Sequence, residues 1–194
     1  MADQKISAMP SAATLTGAEL VPLVQSGANV QTTIDVIRAY DNAYGAWSDS
    51  TDQTGSISAG TAVTYNTQDV SDGVTLVSNS QITVPNTGKY NLQFSFQFKN
   101  VENAQQEVVV WLRVNGSDLA NSATIYTVPA RKNASIFGYN VAALTFLLDL
   151  NANDYVEAYW LPSIATLTIE NLPASLSPAY PAIPSAIVQM IQVA

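Results

Sequence analysis

The run from Lys89 to Asn100 leaves this chain few options. Tyr90, Leu92, Phe94, Phe96 and Phe98 alternate without fault with Asn91, Gln93, Ser95, Gln97 and Lys99. A strand sends successive side chains to opposite faces, so a period of two puts one face in a core and one in water. A helix would scatter these aromatics around its circumference. Asn86-Thr87-Gly88, just before, supplies a tight turn. The run is expected to be a central rung of an antiparallel sheet, built for packing and carrying no chemistry.

The rest of the chain past Tyr44 repeats this grammar. Val74–Val77 and Ser80–Pro85 are strand-like and lead into the central run. Glu107–Asn115 is apolar at five successive positions, Val108 to Leu112, and Tyr155–Leu161 is also apolar on both faces. A strand apolar on both faces is covered on both. In a two-sheet sandwich only one face meets the opposite sheet, so a neighbouring subunit is expected over the other. Asn115-Gly116 reads as a two-residue hairpin turn. Further strand-like runs are Ser117–Val128, Ser135–Leu150, Ala165–Glu170 and Ser185–Ala194, with Pro173–Pro184 an extended connection. About ten short strands separated by turns predict an all-β sandwich or jelly roll.

Composition removes whole classes of chemistry. The chain has 194 residues, enough for one domain with a real core plus an appendage. It has no cysteine and no histidine. Disulfides, thiol nucleophiles and every Ser-His or Cys-His arrangement are therefore excluded. Fifteen acids against seven bases give a net charge of −8, which repels phosphate backbones and argues against nucleic acid as a partner. No apolar run is long enough for a membrane span, so no membrane insertion is expected. Met-Ala-Asp-Gln-Lys lacks the apolar core of a signal peptide, so the protein is expected to stay in a cytosol or leave it by lysis or assembly. Only 11% of residues are charged, which suits a chain that hides much of itself against other proteins.

Residues 1–43 differ in kind. Leu20-Val21-Pro22-Leu23-Val24-Gln25 reads as a short strand broken by its proline, Ser26–Asn29 as a turn, and Val30–Thr33 as a second strand. Thr33 can cap a brief helix over Ile34 to Tyr40, with Ile34 and Ile37 on one face. So short a segment cannot bury its own apolar residues, and it is expected to dock on another subunit or a larger assembly. The run Ile6–Pro10, Leu15–Gln25 and Val30–Thr33 resembles the N-terminal attachment segment of many tailed-bacteriophage fibre and other virion proteins. The resemblance implies a virion anchor, expected to use the apolar residues Leu15, Leu20, Val21, Leu23 and Val24 together with Ile34 and Ile37 of the helix.

A second resemblance covers most of residues 45–194. Ser80–Val84 with Gly88–Gln97, then Val110–Gly116 and Asn153–Glu157, and finally Pro184–Val188, are similar to the C1q/TNF-like jelly rolls found in virion proteins. That family implies a ten-stranded antiparallel two-sheet jelly roll that assembles as a compact homotrimer. With the two-sided apolar strands, it points to Val109, Trp111, Tyr155 and Tyr159 as trimer-interface positions. Loops through which vertebrate members bind calcium and receptors do not align here.

Candidate sites each have a plain competitor. Asp149–Asp154 places oxygens at alternate positions as a calcium loop opens, but lacks the glycine and the closing glutamate, and Asn and Asp are ordinary hairpin residues. Asp49 with Asp52, or Asp69 with Asp72, offers the two carboxylates of glycoside hydrolysis, as any acidic loop does. Arg131-Lys132 reads as a solvated tip, with a host glycan or a lipid phosphate as the other possibility. Tyr126, Tyr139, Tyr155, Tyr159 and Trp160 could stack on sugars, though subunit packing is the simpler role. Arg113 needs a carboxylate such as Glu157 or Asp118 if buried.

The expectation is a virion protein in two parts, an anchor over 1–43 and a trimeric jelly-roll knob over 44–194. It would be a short fibre or tail-associated tip for attachment and display. Its partners would be copies of itself, other virion proteins and a host-surface glycan or protein. A capsid decoration protein is the alternative, and a carbohydrate-cleaving enzyme the more distant one. No catalytic residue, cofactor or metal is expected.

Overall fold

The alternating run folds as one strand of 13 residues, Gly88–Asn100, in which every second side chain from Tyr90 to Asn100 is buried. The computed structural model describes residues 16, 18–34 and 42–194. Contacts divide the chain into two compact units, Met1–Asn42 and Ala43–Ala194. In chain order the first unit holds β1 (Leu20–Gln25) and β2 (Ala28–Thr33). The second holds β3 (Tyr44–Asp49), β4 (Gln53–Thr54), β5 (Thr61–Ala62), β6 (Thr67–Asp72), β7 (Thr75–Val77), β8 (Gln81–Thr83), β9 (Gly88–Asn100), β10 (Gln106–Val114), β11 (Ser117–Asp118), β12 (Thr124–Val128), β13 (Gly138–Leu150), β14 (Tyr155–Pro162), β15 (Thr168–Ile169), β16 (Ser175–Leu176), β17 (Ala179–Tyr180) and β18 (Ala186–Gln192).

The described part of the first unit is a two-stranded hairpin. Leu20 pairs with Thr33 and Gln25 with Ala28, so two residues, Ser26 and Gly27, make the turn. Both have positive φ, 52° and 78°, the mirror-image turn whose twist matches a hairpin. Pro22 does not break β1, as its sequence suggested, but sits within it. Each strand of a two-stranded sheet is an edge, and an edge tolerates a missing N–H. Ile34 is helical, and its N–H donates to Glu19 O at 3.1 Å. Leu15, Ile37 and the rest of the expected helix lie outside the described residues.

The second unit is a jelly-roll-like sandwich of two antiparallel sheets. The first sheet runs β4-β15-β9-β18-β3-β6, with β13 paired to β9 along all 13 residues, Gly138 to Asn100 through Leu150 to Gly88. The second runs β11-β10-β14-β8-β7, with β12 on β10 and β5 on β14. The chain changes sheets repeatedly, at β4–β5, β5–β6, β6–β7, β8–β9, β9–β10, β12–β13, β13–β14 and β14–β15. β3 and β18 are neighbours inside the first sheet.

Inward side chains of the two sheets make one core. β9 gives Tyr90, Leu92, Phe94, Phe96 and Phe98; β10 gives Val108, Val110 and Leu112; β14 gives Val156, Ala158 and Trp160. Each large side chain buried this way contributes about 1.5–3 kcal/mol of transfer free energy. Phe94 also stacks on Phe146 of β13, at 6.2 Å between centroids.

Two expected strands and one expected connection differ from the sequence reading. Ser117–Val128 is interrupted, because the Ser122 hydroxyl receives Leu112 N–H at 3.0 Å and donates to Leu119 O at 2.8 Å. That fixes a turn, with Asn121 at φ 64°, between β11 and β12. Ala165–Glu170 reduces to the two residues of β15, lodged between β4 and β9. Pro173–Pro184 carries the small hairpin β16–β17 rather than an unbroken extended connection. Asn115-Gly116, at φ 51° and 78°, forms the expected tight turn.

Candidate functional site

The four interface positions read from sequence share the outer face of the second sheet. Trp111 of β10 and Tyr159 of β14 are register partners, with ring centroids 5.8 Å apart. Val109 faces Leu161, and Tyr155 lies toward the other end of β14. All four are half-buried by their own chain. A Cβ on Gly60 would come within 2.4 Å of the Trp111 indole, so the backbone beside β5 lies over that ring. Part of the second apolar face therefore has an intramolecular cover, where the sequence pattern asked for a neighbouring subunit.

Charge on this face is also settled within the chain. Asp118 Oδ1 accepts from Trp111 Nε1 at 2.7 Å and from Arg113 Nε at 2.6 Å. The Arg113 guanidinium lies 4.1 Å above the Tyr159 ring. Bonding by Arg113, then by Trp111, holds the Asp118 carboxyl below its ordinary range. Glu157 stands opposite Arg113 in register but is 6% exposed and accepts from Ser80 Oγ at 2.7 Å. Of the two partners considered for Arg113, Asp118 is the one it bonds.

Five of the other candidate acids, Asp49, Asp52, Asp69, Asp149 and Asp154, are engaged by groups of the same chain. Buried Asp49 accepts from Thr51 N at 2.7 Å, Thr51 Oγ1 at 2.6 Å and Asn66 Nδ2 at 3.0 Å. Asp52 accepts from Asn171 N at 2.8 Å, and Asp69 from Ser48 Oγ at 3.1 Å. In the calcium-like run, Asp154 accepts from Asn115 Nδ2 at 2.7 Å and Asn151 N at 2.8 Å, while Asp149 pairs with Lys89 at 3.1 Å. Among the described residues no group of three or more acidic, His or Cys side chains is placed to hold a metal ion. Arg131 Nε donates to Asn103 Oδ1 at 2.8 Å, which ties that basic tip to the loop after β9. Among the described residues no helix is long and apolar enough to cross a membrane.

Of the outer face of the first sheet, sequence reasoning singled out Tyr139 alone. The ends of this face carry charge: Lys89 with Asp149, and Lys99 with Glu170, the ammonium of Lys99 also lying 4.4 Å above the Phe137 ring. Burial and then the neighbouring Glu170 push the Tyr139 phenol up to about 12. Between the ends, Val141, Leu147, Ile187 and Ile191 are exposed. In the middle lies a shallow depression of about 380 Å³ floored by Ala46, Ser95 and Ala143. Gln189 Nε2 donates to Gln93 Oε1 at 2.8 Å beside it. The available signal was that outward positions of Ser135–Leu150 are apolar as well as inward ones. A further cleft of about 400 Å³ opens beside Leu119, between Val114 and the Phe146–Leu150 end of β13.

No protein-family model matches the chain, and no curated protein matches it either.

Proposed function

We propose that this is a virion structural protein: a β-sandwich knob that works in several copies, carried on a short N-terminal attachment element, as a tail fibre or tail-associated tip for attachment and display. The observation that carries the reading is the two-stranded unit. An isolated hairpin is marginal in water, and this one exposes Leu20 at 61% and Val24 at 68%, with Leu23 and Val30 beside them. Such an element suits docking on a larger body rather than standing alone. The sandwich supports the same role. Asp49, Asp52, Asp69, Asp149 and Asp154 are engaged in hydrogen bonds and an ion pair within the chain, and its core is continuous. Three copies on one particle would raise avidity for a host surface without new contact chemistry.

The test is localisation in purified particles by cryo-electron microscopy. Density at the tail is the expected result. Density spread over the capsid lattice would replace the tip by a capsid decoration protein. Absence from particles would overturn both.

A further inference from the structure

We propose that the outer face of the first sheet, formed by β13, β9, β18 and β3, is where a second copy of this chain docks. The proposal deepens the reading of the chain as a multicopy structural protein and rests on it.

Charge is the first argument. Between Lys89 with Asp149 at one end and Lys99 at the other, no outward position of these four strands carries a charge. The chain as a whole carries −8. Two identical acidic molecules repel through most approaches, and a neutral face lets them meet without like-charge contact. Depletion of charge at the centre with charge kept to the rim is the usual anatomy of an interface.

Shape is the second. Leu147 projects at 69% exposure, with Val141, Ile187 and Ile191 also exposed. The depression over Ala46, Ser95 and Ala143 lies on the same face and begins on the same strand, Ala143 standing four residues before Leu147 in β13. The protruding leucine of one copy can enter the hollow floored by small side chains on another, a knob-and-pocket contact from which a closed symmetric assembly can be built. The Gln93–Gln189 pair beside the hollow adds amide groups for bonds across the seam.

Area is the third. Ten residue steps along β9 and β13, and six along β18 and β3, cover about 500 Å² at ~3.4 Å per residue and ~4.8 Å between strands. Two copies then lose about 1,000 Å² together, which reaches the lower bound for a specific interface. Val109, Trp111, Tyr155 and Tyr159 lie on the other sheet, half-buried by their own chain, and are not part of this face.

The test uses the full chain in sedimentation velocity, with far-UV circular dichroism and thermal unfolding as fold controls. The double variant Leu147→Asp/Ile187→Asp changes two exposed side chains and leaves the core untouched. Ile125→Asp, exposed on the outer face of the second sheet, is the control. The wild type should sediment as an oligomer at about 50 μM, where a micromolar complex is populated. The double variant should weaken association by about 100-fold or more with its circular dichroism unchanged, while Ile125→Asp should associate as the wild type does. A monomeric wild type, a double variant that still assembles, or an Ile125→Asp variant that falls apart equally would each overturn the face. These outcomes are independent of particle localisation. A failed face leaves a tail-localised protein standing, and absence from particles leaves the face standing.

Discussion

Phe98 of β9 and Trp160 of β14 meet across the sandwich, ring centroids 5.7 Å apart and planes tilted by 45°. Both are fully buried, and they come from different sheets. Tilted pairs at this distance add attraction beyond the area they bury. They also join the two layers that the fold must hold together.

Phe98→Ala should therefore destabilise the sandwich by about 3–5 kcal/mol, since it removes a large buried ring and leaves a cavity against Trp160. Chemical denaturation followed by tryptophan fluorescence measures it. A loss below about 1 kcal/mol would mean that the layers collapse readily around the gap.

The β9 half of that contact was legible in the sequence and its partner was not. Alternation assigns Phe98 to the inward face, because period two is a local property. Trp160 sits in a run apolar on both faces, where periodicity carries no information about direction. The same ambiguity bears on the interface reading. Trp111 and Tyr159 look like residues awaiting a subunit, yet Gly60, Asp118 and Arg113 of the same chain lie against them. Gly60 is far from Trp111 in sequence, and only tertiary structure brings it there. The face holding Leu147 and Ile187 escaped notice for the opposite reason. The outward residues of β9 are polar, and the apolar character comes from β13 and β18 laid beside it. A sheet's surface belongs to its neighbours in space.

Tyr65 offers a test in the stabilising direction. Its ring is 1% exposed, and no protein group among the described residues bonds its hydroxyl. Burial, with Asp49 nearby, pushes the phenol well above its ordinary range. A buried hydroxyl without a partner costs about 1–3 kcal/mol of desolvation. Tyr65→Phe keeps the ring and removes that group, so the unfolding midpoint should rise or stay level. A clear fall would show that the hydroxyl is bonded after all.

The second unit should fold without the first. All of its buried apolar core, from Ala43 to Met190, comes from residues 43–194. Deleting residues 1–42 leaves every one of these side chains in place, so the truncated protein should unfold in one cooperative transition at the midpoint of the full chain. Calorimetry of the two proteins decides it. A broad or shifted transition would show that the first unit contributes to the core's stability.

Acid should loosen the Asp118 contact, and the sign follows from the direction of its shift. Bonds from Arg113 and Trp111 hold its carboxyl below its ordinary value in the folded chain. The unfolded chain therefore binds that proton more tightly than the folded one. Its contribution is fully present above the ordinary carboxylate value of about 3.9 and is lost as pH falls through the lower folded value. Asp154, lowered by Asn115 and then by the Asn151 backbone, behaves the same way. Asp118 is exposed, so the effect should be small and should weaken further with salt. Stability measured from pH 6 down to about pH 2 should fall less steeply in Asp118→Asn than in the wild type. Identical slopes would mean that Asp118 titrates alike in the folded and unfolded chains, and that Arg113 and Trp111 do not hold its charge in solution.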